Sequence, residues 1–97
     1  MVRALYFSDK DQFRVKRYPG SFIVEPRQVA GMHELKFICP CGCGFENQLL
    51  VGEGHKPGGD RPSWIWNGST TEPTLKPSVH LVDHWHGYLN DGYWETV

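Results

Sequence analysis

The sequence predicts a small, mainly antiparallel β domain, and three observations lead there. Eleven glycines and seven prolines interrupt the 97 residues too often for long helices. Between those breaks, short runs of β-branched, aromatic and apolar residues recur. All three cysteines lie within residues 39–43, and a chain this short buries too little surface to be far from needing a staple.

Residues 2–7, 21–25 and 34–39 read as strands, each bounded by Gly, Pro, Asp or Ser. Residues 48–51 and 63–67 read the same way. Between them, residues 52–62 have almost no apolar content, which marks a mobile loop. Residues 85–89 and 93–97 flank Asn90-Asp91-Gly92, whose Asp-Gly step supplies the positive φ angles of a tight hairpin. Helix has little support anywhere, with room for one turn at residues 26–32. The segment from Pro73 to Val79 is held extended by its two prolines; it is expected to cross near the cysteines and bury Leu75 and Val79, with ligand contact through its hydroxyls as the competing use. Trp64, Trp66, Trp85 and Trp94 are expected mostly in the core. No linker or internal repeat appears, so residues 1–97 form one domain.

Three cysteines packed into Cys39-Pro40-Cys41-Gly42-Cys43 are too close to close useful disulfide loops, and the odd count leaves one over. Metal binding in a reducing compartment suits them better. Cys-x-Cys turns supply soft, deprotonated ligands from one rigid loop, and a tetrahedral zinc site needs a further ligand from elsewhere. Pro40 stiffens this turn, while Gly42 and Gly44 let the backbone curl so that amides face the sulfurs. His84 and His86 are the available donors. In a strand starting near Trp85 they point to the same face, so either is able to reach the metal. The expected site is therefore one Zn²⁺ on Cys39, Cys41, Cys43 and His84 or His86.

Cys39-Pro40-Cys41-Gly42-Cys43-Gly44, Pro73-Thr74-Leu75-Lys76-Pro77-Ser78-Val79 and Trp85-His86-Gly87-Tyr88-Leu89, with Asp91-Gly92 and Trp94 after them, form three ordered blocks. Their combination resembles a family of small proteins from bacteriophages, prophages and bacterial ubiquitin-like conjugation gene clusters. The resemblance implies a metal-binding, β-rich, zinc-ribbon-like domain and no particular activity. The family pattern carries a further cysteine where this chain has Asp83, which makes Asp83 or its neighbour His84 a replacement ligand. Trp85-His86-Gly87 matches the family step directly, so the resemblance implies His86 as a metal ligand.

Seven Lys and Arg against four Asp and Glu in residues 1–36, and three against seven in residues 37–97, leave a net charge of −1 and no strong pull on nucleic acid. Arg14, Lys16 and Arg17, interleaved with Phe13 and Tyr18, form the one basic stretch suited to phosphate. His33, His55 and His80 are isolated and read as surface or satisfied histidines. With no signal-peptide pattern and no apolar run near membrane-spanning length, a cytoplasmic protein is expected, in the host cytoplasm if phage-encoded. No Ser-His-Asp order, phosphate loop or carboxylate pair stands out. A zinc-stabilised module binding a protein partner is accordingly the expected function. A zinc hydrolase or deaminase with an open metal position and a nucleic-acid-binding module are the alternatives, and nothing in the sequence sets the oligomeric state.

Overall fold

The turn residues do break the chain into short strands. In the computed structural model, which describes residues 1–97, the order is β1 (Val2–Arg3), α1 (Lys10–Lys16), β2 (Phe22–Pro26), β3 (Met32–Ile38), β4 (Glu46–Glu53), β5 (Ser63–Trp66), β6 (Leu75–Leu81), β7 (Trp85–Asn90) and β8 (Tyr93–Thr96). They form one sheet in the order β1-β8-β7-β6-β5-β4-β3-β2. Every neighbouring pair is antiparallel except β4 and β5, which run parallel over Leu50–Glu53 and Ser63–Trp66. A parallel pair needs a crossover, and the polar stretch between the two strands supplies it.

The two ends of the sheet are joined by the N-terminal segment. β1 pairs with β8, Ala4 N–H donates to Gly92 O at 2.8 Å, and Phe22 N–H then donates to Leu5 O at 2.9 Å. The sheet thus closes round a core that includes Phe22, Leu35, Phe37, Val51, Val79 and Trp94. Trp94 stacks on Phe37 at 4.7 Å, meets Trp85 edge-on at 5.7 Å and donates its indole N–H to Gly20 O at 2.9 Å. Trp66, Trp85 and Trp94 are buried and Trp64 is half-buried, in line with a packing role. Leu75 and Val79 are buried as expected. The cysteine loop is one corner of this larger sheet, whose own apolar core distinguishes it from a ribbon organised by metal alone.

β5 is too short to fill the wall. It pairs with β4 only at Leu50–Glu53 and with β6 only at Leu75 and Lys76. Residues 46–49 of β4 therefore have β3 on one side and no strand on the other, and residues 79–81 of β6 have only β7. An open seam results between β4 and β6.

Two expectations about helix differ from the structure. Of residues 26–32, Pro26 ends β2 and Met32 begins β3, with bends and a turn at 27–31 between them, while a helix forms at Lys10–Lys16. Asp9 caps that helix by accepting from Asp11 N–H at 2.8 Å and Gln12 N–H at 3.2 Å, and Phe13 anchors it against Ile23 and Ile38. Arg17, at φ 47°, ends it. Of the basic stretch, Arg14 pairs with Glu46 at 3.1 Å and Arg17 Nη1 donates to Gly44 O at 2.8 Å, so the helix holds the chain just beyond the cysteines.

On the outer face Glu34 is 8% exposed and accepts from Arg27, from both Arg61 nitrogens at 2.6 and 2.8 Å, and from Gln48 at 2.8 Å. Burial alone raises its carboxyl, but Arg61, Gln48 and Arg27 outweigh that and hold it at about 2. Because the folded value lies below the ordinary 4.5, this stabilisation is complete above roughly pH 4.5 and is lost as pH falls through 2. Glu34→Gln should therefore be less stable than the parent at pH 7 and the gap should close by pH 2, as read from urea midpoints across that range.

Candidate metal centre and serine–histidine pair

Between β3 and β4, the chain turns through the cysteines with Gly42 at φ 90° and Gly44 at φ 82°, left-handed positions that favour glycine. Gly42 N–H donates to Cys39 O at 3.2 Å and Cys39 N–H to Phe45 O at 2.9 Å, closing the loop. The expected amide contacts are present, with the Cys41 and Cys43 N–H groups facing the sulfurs of Cys39 and Cys41. Cys39 is buried, whereas Cys41 and Cys43 are exposed.

The fourth donor comes from the turn between β6 and β7. Asp83 takes the left-handed conformation at φ 57°, and His84 N–H donates to Leu81 O at 2.9 Å, so a three-residue turn aims the His84 ring at the cysteines. His84 Nε2 lies 3.3 Å from Cys41 Sγ and 3.2 Å from Cys43 Sγ, and Cys39 Sγ lies 3.1 Å from Cys41 Sγ. All four donor atoms fall within 4.8 Å of one another, an arrangement able to hold one metal ion. Burial first, and the Cys41 sulfur next, pushes the Cys39 thiol up, while the hydrogen bond from Cys39 lowers Cys41.

His86 does not join this group. Residue 84 sits in the turn rather than in the strand, so the alternation expected to align the two histidines does not extend to it. Asp83 serves the turn and is also outside the cluster. On β7, His86 pairs in register with His80 on β6, their rings 4.6 Å apart and tilted by 32°. Its Nε2 lies 3.0 Å from Ser78 Oγ. The register between β6 and β7 moves from Leu75↔Leu89 to Val79↔Gly87, so β6 spends four residues where β7 spends two. This bulge carries Ser78 out beside His86, and bulges commonly re-aim side chains in this way. A cleft of about 430 Å³, lined by Lys76, Pro77, Tyr88 and Asn90 among others, opens at Ser78. Of the remaining histidines, His55 lies 3.3 Å from Glu53 O in an exposed turn, and His33 has a buried Nδ1 with no partner.

Serine and imidazole at 3.0 Å form the arrangement of an activated nucleophile, for which the useful range is about 2.6–3.2 Å. A family model described as the bacterial ubiquitination-like system serine protease (BubE) matches residues 7–97. The chain belongs to this family. No curated protein and no solved structure matches it. The BubE description agrees with the expected link to ubiquitin-like conjugation genes and carries no reference to phages. It names a serine protease, a different class from the metal-dependent hydrolase or deaminase weighed above. No helix of the chain is long and apolar enough to cross a membrane.

Proposed function

We propose that this chain hydrolyses peptide bonds in a protein of a bacterial ubiquitination-like system, with Ser78 as nucleophile, His86 as its base and a structural zinc ion beside them. The observation that carries the reading is the contact between Ser78 Oγ and His86 Nε2 at 3.0 Å on an accessible sheet face, together with the family description. Ser78 Oγ attacks the scissile carbonyl while His86 Nε2 takes its proton, which requires the hydrogen of the neutral ring to sit on Nδ1. His86 then gives that proton to the leaving amine, and water, deprotonated by the same nitrogen, releases the acyl group from Ser78. The His80 ring, packed on His86, limits the rotation of the imidazole. The protein partner expected from the sequence becomes the substrate in this reading. A fluorophosphonate probe should label Ser78, located by mass spectrometry of the peptides; label on no residue, or equal labelling of Ser78→Ala, would sink the proposal.

Three sulfurs and one imidazole suit zinc. With metal–sulfur and metal–nitrogen bonds of about 2.3 and 2.0 Å, tetrahedral donors stand roughly 3.5–3.8 Å apart, close to the spacings found here. Four protein donors fill the shell, so zinc would supply stability and not a bound water. His84→Ala should then lower zinc affinity severely, and His86→Ala should leave it near the parent value while ending probe labelling. Competition with a chromophoric chelator measures the first effect, and equal zinc loss in the two variants would overturn this division of roles.

A further inference from the structure

We propose that the open seam between β4 and β6 receives an extended stretch of the polypeptide substrate as an added strand on the approach to Ser78, an inference that rests on the serine protease reading above. Both banks of the seam are strand edges. Residues 46–49 and residues 79–81 each pair on one side only, leaving rows of backbone donors and acceptors turned toward the gap. Such rows are satisfied by an extended chain at strand spacing, and neither a helix nor a folded surface matches them.

The rims of the gap carry apolar groups that the fold leaves unused. Phe45 is 59% exposed on one bank and Val82 is 76% exposed on the other. With Asn47, His80, Leu81 and His84 they line one cleft of about 450 Å³, within the roughly 300–1,000 Å³ typical of ligand sites. An apolar substrate side chain fits between them.

The seam also has a fixed end. Trp64 Nε1 donates to Ser78 O at 3.1 Å, so the edge of β6 is occupied at Ser78 and free beyond it. His80, which lines the cleft, packs on the ring that holds the Ser78 hydroxyl. A strand lying along β6 is therefore stopped by the Trp64 indole beside the nucleophile. Trp64 sets how far the bound segment runs, and the seam sets its extended shape.

Short unstructured peptides of mixed sequence, cut by the parent and spared by Ser78→Ala, provide the test. Each is resynthesised with single backbone N-methyl groups, which remove one donor at a time. Methylation at alternate positions on one side of the cut should lower kcat/KM about tenfold each, with little effect at the positions between. Val82→Glu, and Phe45→Glu beside it, should reduce cleavage by about tenfold or more while fluorophosphonate labelling of Ser78 proceeds at the parent rate. Cleavage indifferent to N-methylation, full cleavage by Val82→Glu, or labelling with no Ser78-dependent cutting of any peptide would overturn the seam proposal and leave the Ser78–His86 reading standing. Absence of both labelling and cutting would remove the reading on which it rests.

Discussion

Ser78→Ala should lower peptide cleavage by at least about ten-thousand-fold, the scale on which serine hydrolases fail when the nucleophile is lost. The fold should survive the change. Ser78 is half-buried, its hydroxyl has only His86 as a partner, and an alanine fills the same bulge without strain. Thermal unfolding and zinc content should match the parent. His86→Ala should cost nearly as much activity, because nucleophile and base act as a unit and their losses do not add. His80→Ala should cost less, since that ring only steadies the base. Kinetics on the Ser78-dependent peptides measure all three, and a Ser78→Ala protein retaining a tenth of the activity would end the assignment.

Cys41→Ser should unfold the domain or destabilise it severely. Structural zinc contributes on the order of 10 kcal/mol in small metal domains, comparable with the whole stability of about 5–15 kcal/mol of an ordinary one. The position of the centre makes the loss worse. The cysteine loop joins β3 to β4 and His84 sits between β6 and β7, so a metal held by the four would tie together two turns across a seam that has no strand pairing of its own. The same β6–β7 hairpin carries Ser78 and His86, and loosening it should impair catalysis before the rest of the sheet melts. His55→Ala, which removes one exposed contact to Glu53 O, should change little. Thermal melts with and without a chelator test the pair; equal losses in the two variants would show that the centre does not hold the fold.

Some of this was legible in the sequence for local reasons. Asp91 at φ 49° and Gly92 at φ 87° make the tight turn that the Asp-Gly step announces, and Asn90 pairs with Tyr93 across it. The cysteine loop needs only its own proline, Pro40, and its glycines, Gly42 and Gly44, to curl. Helix α1 is written in its cap alone: Asp9, followed three residues later by Gln12, resembles a capping box, but the helix is too short for an apolar period to show. The choice between His84 and His86 was not legible because β7 begins at Trp85 as expected, while His84 lies in the turn before it, where the left-handed Asp83 and not strand alternation sets the direction of the ring. The Ser78–His86 contact was hidden for a different reason. It depends on a bulge and on the register of two strands, neither of which a linear pattern of serine, histidine and aspartate encodes.

The joined ends of the sheet constrain how the molecule is made. Val2 lies opposite Trp94 and Ala4 bonds to Gly92, so the first strand has no partner on that side until β8, some ninety residues later, has been synthesised. Contacts so distant in sequence fold slowly, because a long loop must close before any pairing rewards it. During translation the N-terminal segment must wait, with its edge open, while the β6–β7 hairpin and then β8 leave the ribosome. The β6–β7 hairpin with its Ser78–His86 pair thus precedes β8 in synthesis, and closure of the sheet through β1 follows both.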